Sequence, residues 1–153
     1  MSTSPSTDYN PSTGSFRADL RYVGYAGALA VALGAFGAHA LEARLDAESM
    51  NVYATASQYH FIHVLAMLGV LGLHSANQNA VNVHRRLRRV VRFFALGTAI
   101  FSGSLYVLAT RALLGLDGAT WIGAVTPFGG VLLILGWIAL AHALTARDEK
   151  GDR

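Results

Sequence analysis

Four long runs without a charged side chain set the pattern of the chain, at residues 22–41, 54–74, 93–110 and 128–145. The first is twenty residues long, which as an α-helix rises about 30 Å and matches the hydrocarbon core of a bilayer. Between the first two runs, residues 42–58 mix Glu42, Arg44, Asp46 and Glu48 with Leu45, Met50, Val52 and Tyr53, a pattern that predicts a loop and a short interfacial helix. The third run follows a polar and then basic stretch over 77–92 and is closed by Arg111. A loop containing Gly115, Asp117 and Gly118 leads to Thr126 and Pro127, a pair that suits an N-cap and a first helical position for the fourth run. Residues 1–20 open with Ser, Thr, Pro, Gly and Asn and few bulky apolar side chains, so they are expected to be a disordered tail. A four-span membrane domain over 21–146 and a charged tail over 147–153 complete the division. The predicted fold is an all-α membrane protein, four transmembrane helices in a compact bundle.

Composition strengthens this picture. Of 153 residues, 53% are hydrophobic and 14% charged, where a soluble domain carries about 25% charged side chains to coat its surface. The mean hydropathy of +0.39 in a single domain puts much of the exterior against lipid. There is no cysteine, which excludes disulfides, thiolate metal sites and cysteine nucleophiles. The high isoelectric point comes largely from Arg85, Arg86, Arg88, Arg89 and Arg92, which abut an apolar run and mark topology, not a nucleic-acid surface.

Ten of the twelve Lys and Arg residues fall on the side shared by both termini and the central loop, with Arg44 and Arg111 on the other. That bias predicts both termini in the cytoplasm. Arg17 and Arg21, an apolar stretch and Ala38-His39-Ala40 also imitate a cleavable secretory signal, but the apolar run exceeds the usual 7 to 15 residues.

Helices in lipid associate through close packing, which small residues permit. Ala26, Ala30, Gly34 and Ala38 form a four-residue ridge on the first span, Ala95, Ala99 and Gly103 another on the third, and the second offers Ala66 and Gly69. On the fourth, Gly129, Gly136 and Ala143 recur every seven residues, the seam of a left-handed helix pair.

The polar groups left inside the spans are the candidates for chemistry. His39 lies near the outer end of the first span, and His60 and His63 share a helix face in the outer part of the second. By rise per residue His63, Ser102 and Ser104 come to similar depth, a candidate polar layer with His39 and Tyr59. His39, His60, His63 and Glu42, with Gln58 nearby, could ligate a divalent metal, and paired histidines could ligate haem. The simpler expectation is that these side chains hydrogen-bond across helices and stitch the spans together. None of the nine acids lies in a span, and no nucleophile elbow or phosphate loop is present, so no enzymatic activity is expected. Tyr106 and Trp121 suit an outer aromatic belt, Trp137 packs or faces lipid, His74 and His142 are interfacial, and His84 belongs to the basic loop.

Four stretches carry a resemblance: GAFGAHAL at 34–41, TASQYHFIH at 55–63, FSGSLY at 101–106, and TPFGG at 126–130 with Gly136 and Trp137. In that order they resemble the domain of unknown function 423 family, small bacterial inner-membrane proteins, over about 22–144. The resemblance implies a multi-span helical protein of the bacterial plasma membrane that keeps its first span, and it supplies no established activity. His39, His63, Ser102 and Ser104 fall on the family's motifs, whereas His60 stands where glutamine is the more usual residue, which argues against a metal ligand there. The expected function is a non-enzymatic scaffold or accessory subunit in the bilayer, as a homo-oligomer or in a larger complex and without a cofactor. The alternatives are a small-solute or ion carrier or pore, or a metal, haem or quinone site at the outer-side histidines.

Overall fold

A chain in hydrocarbon must satisfy its own backbone polar groups, and this one does so with helices. The computed structural model describes residues 11–76, 81–116 and 118–145. Helix α1 (Pro11–Phe36) runs into a π-helical turn at Gly37–Leu41; α2 (Ala47–Ala76) and α3 (Val81–Thr110) follow; a short 3₁₀ turn (Ala119–Trp121) leads into α4 (Ile122–Thr145). Among the described residues, four stretches are long and apolar enough to cross a membrane: Phe16–Leu41, Ala47–Leu73, Val83–Thr110 and Ala119–Ala143. Residues 1–10 of the expected N-terminal tail, the charged tail 147–153 and Asp117 lie outside the described residues.

The helices reach further than the uncharged runs. α1 begins at Pro11, so residues 11–20, expected in a disordered tail, are helical; Phe16 packs against the apolar cluster that holds Val64, Leu87 and Phe94, and Asp19 pairs with Arg88 of α3 at 3.7 Å. The expected interfacial helix and the second span are one helix, capped by Asp46, whose carboxylate accepts from the Ser49 N–H at 2.8 Å and the Ser49 hydroxyl at 2.9 Å. Those bonds, the backbone one foremost, hold the exposed Asp46 carboxyl below its ordinary range. The basic stretch expected as a loop is the first turns of α3. Leu87, Val90, Val91 and Phe94 bury one of its faces and leave Arg85, Arg89 and Arg92 on the opposite, exposed one.

The fourth span also starts earlier than Thr126-Pro127 suggested. α4 begins at Ile122, and Pro127 lies inside it. Lacking an N–H, Pro127 leaves the Gly123 carbonyl without its i+4 donor, while the Thr126 hydroxyl meets Ser104 of α3 at 2.8 Å instead of capping a helix. At the other end of that connection Gly115, at φ 66°, takes the left-handed position that closes the turn following α3, with the Leu116 N–H returned to the Arg111 carbonyl at 2.8 Å.

Packing follows the small residues in part. α3 lies against both α2 and α4, and α1 packs on α2. Gly129, Gly136 and Ala143 are all buried on α4, where a Cβ at Gly136 would fall 2.6 Å from the Phe94 ring and one at Gly129 on the Phe101 backbone. On α3 the close approach is at Gly97, 2.6 Å from Leu133 in the same sense, and not along the expected ridge of Ala95, Ala99 and Gly103. Gly69 of α2 meets nothing within 4 Å, and Ala38 is exposed. In the π-turn the wider register accompanies a cross-helix bond: the Tyr53 hydroxyl donates to the Leu33 carbonyl at 2.7 Å, and a Cβ on Gly37 would lie 2.5 Å from the Tyr53 ring.

Two apolar clusters result. The larger joins Val23, Val64 to Leu71 of α2, Leu87 to Phe94 of α3, and Leu133 and Ala143 of α4, at the arginine-rich end. The smaller joins Leu41, Tyr53 and Ala109 at the opposite end. Between them lie the polar groups. Val131, Ile134, Leu135 and Ile138 of α4 point outward, as lipid solvation allows.

Candidate functional site

The expected polar layer separates into three parts. His39 is exposed on the π-turn and Glu42 is exposed just beyond it. His60 and His63 are buried on α2, and because α2 starts at Ala47 they lie mid-helix and not toward an outer end. Among the described residues, no three of His, Asp or Glu come close enough to hold a metal ion, so His39, His60, His63 and Glu42 do not form one centre.

His63 is fully engaged. Its Nδ1–H donates to the Tyr59 carbonyl at 2.8 Å, and its Nε2 accepts from the Trp137 Nε1–H at 3.3 Å, which together fix one neutral tautomer. Its ring also packs among Tyr59, Phe94 and Trp137, with centroids 5.9, 5.4 and 6.2 Å away. Trp137 thus exposes its ring to lipid and turns its N–H inward. Ser104 donates to the Phe101 carbonyl at 2.9 Å and pairs with Thr126. The His63–Trp137 and Ser104–Thr126 hydrogen bonds tie α2 and α3 to α4. Trp137→Phe removes the donor to His63 and is expected to cost about 0.6 to 1.5 kcal/mol, read from reversible unfolding in detergent.

His60, three residues earlier, faces elsewhere. Together with Thr98, Ser102 and Tyr106 of α3 it lines a cavity of about 340 Å³, walled on the far side by Tyr22, Tyr25, Leu29 and Leu33 of α1. This volume falls at the low end of small-molecule pockets, roughly 300 to 1,000 Å³. His60, Thr98 and Ser102 are 7%, 5% and 1% exposed, yet His60 Nδ1, Thr98 Oγ1 and Ser102 Oγ have no hydrogen-bond partner. The Tyr106 hydroxyl approaches Ser57 without a hydrogen bond of good geometry. A hydroxyl in a helix ordinarily turns back to a carbonyl one turn earlier, as Thr55, Thr110 and Thr145 do at 2.8 to 3.0 Å. Thr98 and Ser102 do not. Each buried, unpaired polar atom costs about 1 to 3 kcal/mol unless something supplies its partner.

Of this set the sequence singled out Ser102 and discounted His60. Thr98 sat unmarked within an apolar run, and Tyr106 was expected in an aromatic belt. The available signal was spacing: Thr98, Ser102 and Tyr106 recur every four residues, one stripe on α3. Ala99 and Gly103, expected as a packing ridge, border that stripe and keep the cavity open.

A family model described as "Protein of unknown function (DUF423)" matches residues 33–130. The chain is 38% identical over 132 residues to the UPF0382 inner membrane protein YgdD of Escherichia coli (strain K12), covering 86% of this chain and 92% of that one. The chain belongs to the DUF423 family. A UPF0382 membrane protein of Staphylococcus epidermidis is 42% identical over 115 residues, 75% of this chain and 84% of its own length. One from Haemophilus influenzae is 36% identical over 123 residues, 80% and 90% of the two. No solved structure matches the chain at a significant level. Four apolar helices and inner-membrane relatives make this DUF423 member a multi-pass protein of the inner membrane. The matched segment takes in His60, Thr98, Ser102 and Tyr106 and leaves most of the α1 wall before it.

Proposed function

We propose that this protein binds a small lipid-soluble molecule in the cavity between α1, α2 and α3, without enzymatic chemistry and with the arginine-rich end in the cytoplasm. One observation carries the reading: the three residues whose buried polar atoms lack a partner, His60, Thr98 and Ser102, all border the same cavity. A scaffold or accessory subunit, the role expected from size and packing, gains nothing from unpaired polar atoms in the middle of its helices. A ligand toward which the Thr98 and Ser102 side chains rotate turns that cost into affinity. His63 and His39 do not contribute, because His63 is saturated and His39 lies apart on the π-turn.

Gly103 gives the test. It lines the cavity, and a Cβ there meets nothing within 4 Å, so Gly103→Leu fills the space without disturbing a helix contact. The wild-type chain, purified in native lipid and analysed by mass spectrometry, is expected to retain a bound small molecule at near one per chain. Gly103→Leu is expected to lose it while unfolding normally. Identical profiles of retained compounds from the two proteins would overturn the proposal.

A further inference from the structure

We infer that the arginine stripe of α3 binds the phosphate headgroup of an anionic phospholipid. The site is separate from the cavity and uses none of its lining residues. Arg85, Arg89 and Arg92 stand four and then three residues apart, so they share one face of α3, and all three are exposed. Arg88, toward α1, is offset by Asp19 at 3.7 Å, whereas no carboxylate lies within 4 Å of Arg85, Arg89 or Arg92 among the described residues. Three uncompensated cations on one face call for an anion.

Depth decides which anion. The membrane-crossing stretch Val83–Thr110 has 28 residues, so it is about 42 Å long as a helix, while the hydrocarbon core is about 30 Å thick. The uncharged residues 93–110 account for about 27 Å of that core. Arg85 to Arg92 occupy the remaining length, at the level of the lipid phosphates. Beyond them Leu96, 57% exposed, and the half-buried Ile100 continue the same face without a charge, a surface for the acyl chain that hangs from the headgroup. A free anion has no use for that apolar continuation. On α3 the stripe is bracketed by Arg88, which meets Asp19 of α1, and by Phe93, 3.3 Å from where a Cβ on Gly136 of α4 would stand. A lipid seated there lies in the furrow between α1 and α4. Charge alone would orient the helix with lysine as well, but all five basic residues of the stretch are arginine, whose planar fork grips two phosphate oxygens at once.

The full chain in an uncharged detergent is titrated with dioleoylphosphatidylglycerol or dioleoylphosphatidylcholine, and bound lipid is counted by native mass spectrometry. The wild type is expected to hold one phosphatidylglycerol per chain, at least about tenfold more tightly than phosphatidylcholine. Arg85→Gln/Arg89→Gln/Arg92→Gln is expected to abolish that preference. Arg17→Gln/Arg21→Gln removes two exposed charges of α1 and is expected to keep it. The three single variants, each expected to weaken phosphatidylglycerol binding by about twofold to fivefold, carry the test if the triple variant does not fold. Equal binding of the two lipids by the wild type, or an equal loss of preference in the α1 double variant, would overturn the proposal. So would displacement of phosphatidylglycerol by an equal concentration of inorganic phosphate, which would make the stripe a site for the free anion.

Discussion

Gly129→Leu is expected to leave no folded bundle. A Cβ at position 129 falls on the backbone nitrogen and Cα of Phe101, and backbone, unlike the end of a side chain, cannot swing aside. The α3–α4 seam must open along its length to admit four extra carbons, and the Ser104–Thr126 bond lies at the same level of the seam. The expected loss exceeds about 4 kcal/mol, the range of severe packing defects, seen as failure to recover monodisperse protein after detergent extraction. Gly136→Leu meets the Phe94 ring instead, which can shift at the expense of the larger apolar cluster, so a smaller loss is expected there. Gly69→Leu is the control. That position is exposed and open, so the variant is expected to behave as wild type within about 0.5 kcal/mol.

The second large effect has opposite signs in two measurements. Thr98→Val/Ser102→Ala removes two buried hydroxyls that have no partner within the protein. In protein stripped of ligand, the variant is expected to be more stable than wild type by about 1 to 2 kcal/mol, because an unsatisfied buried hydroxyl costs about that much. In the presence of ligand the order reverses, since the wild type gains binding energy that the variant cannot. Reversible unfolding with and without the native lipid extract reads both. A loss of stability in the stripped variant would mean that the hydroxyls are paired in the folded bundle and that the cavity has no need of an occupant.

The membrane architecture was legible because charge is so expensive in hydrocarbon that its absence marks the spans. The helix ends were not, because an interface tolerates polar helix. Residues 47–53 and 81–92 carry charges and are helical all the same, held by Leu87, Val90 and Val91 on one side and the Asp46 cap on the other. Thr126-Pro127 reads as a helix start from local chemistry alone, yet α4 begins five residues before Pro127 because a backbone entering lipid has to be helical from the surface down. The seven-residue recurrence of Gly129, Gly136 and Ala143 did locate the α4 seam.

The site was less legible. His60 and His63 share a face by spacing, but the face is wide enough to meet two different neighbours. His63 turns to Trp137 of α4, and His60 to the gap between α1 and α3. Periodicity names a face and not the helix opposite it, so no pattern in the chain distinguished the stitching histidine from the one that lines the cavity. Thr98 is similarly silent, because in sequence a threonine that back-bonds to its own helix and one that does not look alike.

The most direct test is a crystal structure of the chain grown from native lipid, examined between α1 and α3. Non-protein density is expected to fill the space beside Gly103, with atoms within hydrogen-bond distance of Ser102 Oγ and Thr98 Oγ1. A structure in which α1 closes against α3, with both hydroxyls bonded back to their own helix, would contradict it.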